Sequence, residues 1–184
     1  MKKRFLTLLL SVITCLTANA YYTQQVDITI DKGLSCNAVR SFAKDIYGRL
    51  WVGTTNGANL ISNGAISQYQ YFTVGNDNVV IGDVISIGCS RHAVLATTNH
   101  IIDFDPDNDS TRLVTYEGRI LRTEYIMMVG DSAYFYNMPL GAVMMYDMNT
   151  GSTRMVAQFP SERQFHFTKM LQVSDDPTQF LLVR

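Results

Sequence analysis

Short apolar or alternating segments, separated by turn residues, run through most of the chain. Segments such as residues 50–55 and 93–98 are rich in the β-branched and aromatic residues that favour strands. The apolar spacing of about 3.6 residues that is typical of an amphipathic helix is not sustained over any long window. The dipeptide Asn63-Gly64 supplies the positive φ angles that a tight hairpin turn requires. The pattern therefore predicts an all-β protein.

These segments repeat with a period near 40 residues. Thr54 aligns with Thr97, a step of 43 residues, and Thr98 aligns with Asn137, a step of 39 residues. Each unit contains four strands, which is typical of a β-propeller blade, whereas a β-sandwich does not require so regular a repeat. We expect a partial β-propeller of about three and a half four-stranded blades, at residues 35–72, 81–116, 122–159 and, incompletely, 164–184, with residues 26–31 as an outer strand of another blade.

The first 20 residues have the three-part pattern of a secretory signal peptide. Basic residues at positions 2–4 precede an apolar run at 5–16, and cleavage is expected after Ala20 in the sequence Ala-Asn-Ala. The apolar run is short for a helix that spans a bilayer, which takes about 20 residues. An uncleaved N-terminal anchor and lipidation of Cys15 are the alternatives. Cleavage leaves residues 21–184 as a domain exported from the cytoplasm.

Composition narrows the class of function. Of the 184 residues, 47% are hydrophobic and 17% are charged, which is inconsistent with a disordered protein. The 15 basic and 16 acidic residues nearly cancel, which argues against nucleic acid or an anionic membrane surface as the partner. The sequence contains no phosphate loop, dinucleotide fingerprint or nucleophile motif, so we expect no catalytic residues and no cofactor.

Residues 33–57 carry the most specific pattern in the sequence. The segments 33–39 and 45–54, followed by Asn56-Gly57, resemble the two-component regulator propeller repeat. The later units keep the strand rhythm of this repeat but lack its tryptophan and glycine. The residues that carry the motif are Asp45, Gly48, Trp51, Gly53 and Gly57.

We expect these motif residues to have structural roles. Gly48 suits a turn with positive φ, and the carboxylate of Asp45 is expected to brace that turn. Trp51 is expected to lie between neighbouring blades, and Gly53 to permit a close approach of the backbone near the crowded centre. None of these residues is expected to contact a ligand, so the ligand-binding residues are not assigned by the sequence.

The resemblance implies that the chain is the N-terminal part of the periplasmic sensor of a hybrid two-component regulator, typical of Bacteroides-type bacteria. It implies a glycan breakdown product as the ligand, further propeller blades as partners, and a dimeric full-length protein anchored in the inner membrane. The histidine kinase of the family is not encoded in these residues, so we expect a truncated chain without catalytic activity. The alternatives are a free-standing secreted propeller that serves as a binding scaffold and a propeller-fold enzyme that acts on glycans.

One run of alternating acidic residues has the composition of a metal site. Asp103, Asp105, Asp107 and Asp109 alternate as in a calcium loop. The glycine and the glutamate that an EF-hand loop requires are both missing, while Pro106 favours a turn. A polar hairpin turn is therefore the preferred interpretation, and we expect no metal.

The histidines and cysteines give weaker signals. His92, His100 and His166 are not spaced as metal ligands, and we expect them to be solvated turn residues. Cys36 and Cys89 either form a disulfide in the oxidising compartment or serve as small buried apolar residues, the interpretation we prefer.

Overall fold

The computed structural model describes residues 26–159, 169–174 and 179–183, and nearly all regular structure in these ranges is β-strand. Cleavage after Ala20 and residues 164–168, 175–178 and 184 of the expected fourth blade lie outside the described residues. Within the same ranges no helix is long and apolar enough to cross a membrane. The strands are β1 (Val39–Lys44), β2 (Leu50–Thr54), β3 (Gly57–Ser62), β4 (Ala65–Tyr69), β5 (Tyr71–Val74), β6 (Asp77–Val80), β7 (Val84–Cys89), β8 (Ala93–Thr97), β9 (Ile101–Asp105), β10 (Ser110–Leu113), β11 (Thr115–Tyr116), β12 (Arg119–Ile120), β13 (Met127–Val129), β14 (Ser132–Asn137), β15 (Ala142–Asp147), β16 (Ser152–Gln158), β17 (Lys169–Gln172) and β18 (Phe180–Val183).

Three four-stranded antiparallel sheets each contain four consecutive strands. The first sheet has the order β1-β2-β3-β4, the second contains β7 to β10, and the third contains β13 to β16. The β3–β4 hairpin closes through Asn63 and Gly64, whose φ angles are 50° and 80°, as their sequence predicts. The protein is therefore all-β and folds as part of a β-propeller, which confirms the predicted fold class.

Neighbouring sheets enclose hydrophobic cores between them. Because β8 and β9 have core on both faces, every residue in these two strands is buried, including the polar side chains of Thr97, Asp103 and Asp105. A further core lies between the third sheet and the β17–β18 hairpin. The core between the first and second sheets consists of Trp51, Ala58, Leu60, Phe72, Ile81, Val84, Ile87, Ala93, Leu95, Ile102 and Phe104.

The first strands of successive sheets lie next to one another. The hydroxyl of Ser41 in β1 donates to the carbonyl oxygen of Val84 in β7 over 3.4 Å. In the same way, Ser86 in β7 accepts the backbone N–H of Ile126, just before β13, at 3.1 Å. The contact repeats from one blade to the next and places β1, β7 and β13 on the inner side of the stack, as in a propeller.

Two hairpins that the sequence pattern does not predict connect the sheets. Strand β5 pairs with β6 between the first and second sheets, and β11 pairs with β12 between the second and third. Gly75, with φ 63°, makes the first turn, and Glu117 and Gly118, with φ 50° and 75°, make the second. The alternation over residues 66–72 resembles one strand, but the chain bends at Gln70 so that Phe72 can enter the core.

Residues 26–31, expected to be an outer strand, form no strand in this structure. A short 3-10 turn occupies Ile30–Lys32 and is capped by Gly33, whose φ is 108°. Val26 and Ile28 are exposed, and no strand among the described residues pairs with this segment. Apolar alternation alone does not make a strand, because a ladder needs a partner with unpaired backbone groups.

Candidate functional site

The carboxylate of Asp45 organises the turn between β1 and β2. Its Oδ1 accepts the backbone N–H groups of Tyr47 and Arg49 at 3.0 and 2.9 Å, and its Oδ2 accepts Arg49 Nε at 2.6 Å. Gly48 has φ 81°, and its N–H donates to the Asp45 carbonyl oxygen at 3.0 Å. The Asp45 side chain is fully enclosed, so it holds the turn together and is inaccessible to a ligand.

Trp51 lies in the core between the first and second sheets and is 0% exposed. Its ring meets Phe104 of the second sheet edge-to-face, with 6.1 Å between ring centroids, and lies 5.7 Å from Tyr69 of its own sheet. Aromatic rings in this arrangement stabilise the contact beyond the area that they bury. The side chain therefore packs one blade against the next and is not available to stack on a ligand.

Gly53 and Gly57 sit where a side chain has no room. A Cβ atom on Gly53 would lie 2.6 Å from Ser41 Oγ and 2.8 Å from Val84 Cγ1 of the neighbouring inner strand. Gly57 has φ 104°, and a Cβ atom there would collide with the carbonyl oxygen of Tyr69. The motif residues thus all contact the fold itself.

An arginine that follows the first strand of a blade reaches the next blade, and this contact occurs twice in the described ranges. Arg49 Nη1 donates to Asp107 Oδ1 at 2.6 Å, in the turn between β9 and β10. Arg91 Nη2 donates to Asn149 Oδ1 at 2.6 Å, in the turn between β15 and β16. The two partners are 58 residues apart in both cases, so the contact is a repeated feature of the blades.

The four alternating aspartates diverge to different partners. Asp105 accepts the backbone N–H of Asp107 at 3.0 Å and the side-chain amide of Asn108 at 2.6 Å. Burial alone would raise the pKa of Asp105, but these hydrogen bonds and the nearby His92 outweigh it and lower the pKa. Asp109, by contrast, lines a cleft on the outside of the stack. Among the described residues, no cluster of three or more His, Cys, Asp or Glu side chains is placed to hold a metal ion.

Asp103 is buried in a polar network that joins the second and third sheets. Its Oδ2 accepts the hydroxyl of Tyr146 at 2.7 Å and lies 2.8 Å from Arg112 Nη2. Burial, together with the Asp103 charge, raises the pKa of Tyr146, which keeps the phenol protonated as a donor. The ring of His92 lies 3.3 Å from both Asp103 and Asp105 and is 23% exposed. His92 lies in the turn between β7 and β8 as expected, but its ring is only partly solvated, because two carboxylates of β9 hold it against the sheet.

Among the described residues, His100, Cys36 and Cys89 are not gathered into one site. His100 is half-buried in the turn between β8 and β9, where burial lowers its pKa, and His166 lies outside the described residues. Cys36 and Cys89 are both free and half-buried, so each is less buried than expected. A hydrogen bond with Thr55 lowers the pKa of Cys36, whereas burial raises the pKa of Cys89 to about 12.

A cleft of about 250 Å³, here called the outer cleft, opens between the first and second sheets. One wall is formed by the end of β4 and the start of the β5–β6 hairpin, and the other by the start of β10. The sequence pattern does not point to this cleft, because no turn signal separates the β5–β6 hairpin, which builds one wall, from β4. The outer cleft is lined by Gln68, Tyr69, Gln70, Tyr71, Phe72, Thr73, Asp109 and Thr111.

The family model described as "Two component regulator propeller" matches residues 33–56. This match confirms the resemblance seen in the sequence and covers β1 and β2 with the turn between them. A comparison with curated protein sequences finds no match.

Solved structures with the same fold include extracellular domains of hybrid two-component systems from Bacteroides thetaiotaomicron. One has a TM-score of 0.63 and 18% identity, with 85% of this chain and 23% of that chain covered. A second has a TM-score of 0.59 and 14% identity, with 82% of this chain and 20% of that chain covered. Virginiamycin B lyase from Staphylococcus aureus has a TM-score of 0.59 and 15% identity, with 79% of this chain and 48% of that chain covered. The chain thus spans about a fifth to a quarter of the Bacteroides domains, and what it shares with all three structures is the fold.

Proposed function

We propose that this chain is the N-terminal part of the periplasmic sensor propeller of a hybrid two-component regulator, and that the propeller responds to a glycan breakdown product. The observation that carries the proposal is the two-component regulator repeat at residues 33–56, which forms the start of the first blade. The fold, shared with extracellular domains of hybrid two-component systems, supports it. The proposal includes export by a signal peptide cleaved after Ala20 and no catalytic role for the chain.

The exposed face of the first sheet supports the presence of further blades. Ser41 bonds to the second sheet, and side chains alternate along a strand, so Phe42 lies on the opposite face, where it is 75% exposed. In a stack of repeats, an apolar face of this kind is covered by the adjacent unit. We propose that another blade of the full-length sensor covers Phe42, and that the full-length protein is a dimer anchored in the inner membrane.

The proposal is tested in the bacterium that carries the gene. An in-frame deletion of residues 35–159 should abolish transcriptional induction by one glycan of a broad panel, while growth on glucose is unchanged. Restoring the wild-type gene at a second locus should restore induction. Induction that is unaltered across the whole panel would overturn the sensor role.

Two further measurements separate the alternatives. Recovery of the processed chain from the culture medium, with no link to transcription, would establish a free-standing secreted scaffold. Cleavage of a glycan by the purified chain would establish a propeller-fold enzyme instead. The sensor proposal requires processed protein in the periplasmic fraction and no change in the mass of the added glycan.

A further inference from the structure

Of the described residues, Asp109 is the one that brings a carboxylate to the lining of the outer cleft. Asp109 has φ 50°, a conformation that aspartate tolerates better than most residues, and it ends the turn before β10. Asp103, Asp105 and Asp107 are held by partners within the fold, whereas no described residue forms a hydrogen bond with the Asp109 carboxylate. The negative charge of Asp109 acts on the neighbouring Tyr69. Burial raises the pKa of Tyr69 most, and the charge of Asp109 raises it further.

Aromatic rings form a fixed apolar wall of the same cleft. Tyr69 and Phe72 are stacked at 14° with centroids 5.6 Å apart, and Phe72 lies 4.6 Å from Phe104 of the second sheet. Beside them Tyr71 is 61% exposed on the first strand of the hairpin. A tyrosine on a paired strand offers a ligand a large apolar face at a small cost in conformational entropy.

Neutral polar groups complete the lining. Gln70 and Thr73 are exposed on one wall, and Thr111 is half-buried on the other. The Thr73 hydroxyl donates to Asn78 Oδ1 at 3.2 Å, so its oxygen is still able to accept a hydrogen bond. Within the described part of the chain, no lysine, arginine or histidine lines the cleft. The cleft thus combines an apolar ring face with amides, hydroxyls and one carboxylate.

We propose that the outer cleft binds one uncharged sugar residue. Sugar hydroxyls donate to the Asp109 carboxylate in charge-assisted hydrogen bonds, and the apolar face of the sugar ring packs on Tyr71. A sugar that carries a carboxylate or sulfate is repelled, because among the described residues no basic side chain lines the cleft to offset Asp109, and the nearby Arg49 is already paired with Asp45 and Asp107. The cleft, at about 250 Å³, is smaller than the roughly 300–1,000 Å³ that hold drug-sized ligands, so one ring enters and the rest of an oligosaccharide stays in solvent. That this sugar is the sensed signal rests on the proposed function, but its binding does not.

The test is a titration of the exported chain, followed by NMR, with methyl glucoside, methyl galactoside and methyl glucuronide. At least one neutral glycoside should bind with a dissociation constant of about 1 mM, as expected for a ligand of one ring, and the glucuronide should not bind. Asp109→Asn should weaken binding of the neutral glycoside about tenfold and reduce the discrimination against the glucuronide. Tyr71→Ala should weaken binding of the neutral glycoside about fivefold, whereas Tyr71→Phe should bind it as the wild type does.

Asp77→Asn is the matched control for Asp109→Asn, because it removes one aspartate charge from the β5–β6 hairpin at a position that does not line the cleft, and it should leave binding unchanged. Circular dichroism of every variant verifies that the sheets are intact. If no neutral glycoside binds, or if Asp109→Asn binds as the wild type does, the cleft is not a sugar site, and the sensor proposal survives through a ligand site elsewhere. If the cleft binds sugar but the deletion described above leaves transcription unchanged, the sensor role falls and the sugar site stands.

Discussion

Replacing Trp51 with alanine should destabilise the protein by about 3–5 kcal/mol, the usual cost of removing a large aromatic side chain from a core. The side chain is 0% exposed and fills the space between the first two sheets. The cavity that Trp51→Ala would leave cannot close easily, since Gly53 already brings the same two sheets into close contact. Domains of this size are stable by about 5–15 kcal/mol, so the variant loses a large share of the free energy of unfolding.

Trp51→Phe separates the volume of the ring from its polar group. The buried indole Nε1–H of Trp51 has no hydrogen-bond acceptor among the described residues. An unsatisfied buried donor costs about 1–3 kcal/mol, and phenylalanine removes that donor while it keeps most of the apolar surface. The lost apolar surface lowers stability and the removed donor raises it. We therefore expect the free energy of unfolding of Trp51→Phe to lie within about 1 kcal/mol of the wild-type value.

Urea unfolding followed by circular dichroism measures both variants, and the fluorescence of Trp51, the one tryptophan of the chain, follows the wild type independently. Val80→Ala, at a position that is 72% exposed, serves as a control and should change stability by less than about 0.5 kcal/mol. If the free energy of unfolding of Trp51→Ala lies within about 1 kcal/mol of the wild-type value, Trp51 does not stabilise the contact between the two sheets as proposed. If Trp51→Phe is as unstable as Trp51→Ala, the indole N–H has an acceptor after all.

Gly53→Ala should lower stability by about 1–3 kcal/mol, because the added Cβ would lie 2.6 to 2.9 Å from atoms of β1 and β7; unchanged urea unfolding would show that the strands can separate. Near neutral pH a thiol reagent should modify Cys36 before Cys89, since the pKa of Cys36 is lowered and that of Cys89 is raised to about 12; timed labelling with mass spectrometry reads the order. The hydrogen bond from Ser90 lowers the pKa of Asp131, so the native state binds fewer protons than the unfolded state. The resulting stability is present above the unfolded pKa of about 3.8 and is lost as the pH falls through the lower native value, and Asp131→Asn should therefore flatten the fall of Tm in acid.

Strand rhythm and tight turns could be predicted because they depend on neighbours in sequence. Asn63-Gly64 adopts the two positive φ angles that its composition favours. Thr54 and Thr97, which the sequence repeat aligns, have the same structural role, because each hydroxyl accepts a backbone N–H of the turn that follows. Thr54 accepts the N–H of Asn56 at 3.1 Å, and Thr97 accepts that of His100 at 3.0 Å. A single sequence displays features of this kind because the interacting residues lie within one turn of each other.

The polar network and the outer cleft could not be predicted, because they depend on residues far apart in sequence. Asp103 and Tyr146 are 43 residues apart, and nothing near either of them shows that a buried carboxylate will meet a buried phenol. The contacts of His92 with Asp103 and Asp105 depend on how β8 pairs with β9, which the residues next to His92 do not show. Asp109 and Tyr71 line one cleft only because the hairpin folds back against the second sheet, and no local signal fixes that direction.

The repeated arginine contact gives the stack of blades a direction. A donor after the first strand of one blade meets an acceptor in the last turn of the next, so successive blades are joined head to tail, like subunits of a cyclic assembly rather than of a two-fold dimer. A head-to-tail joint is the same wherever it occurs along the row. A blade can therefore be duplicated or lost in the gene without a change in the contacts between the remaining blades. The condition is that each added blade carries the arginine donor after its first strand and an acceptor in its last turn. Asn149 stands where Asp107 stands in the preceding joint, and Asp131 of the third blade supplies the carboxylate for Arg91 instead, so the charge can move to another position in the blade while the row stays continuous.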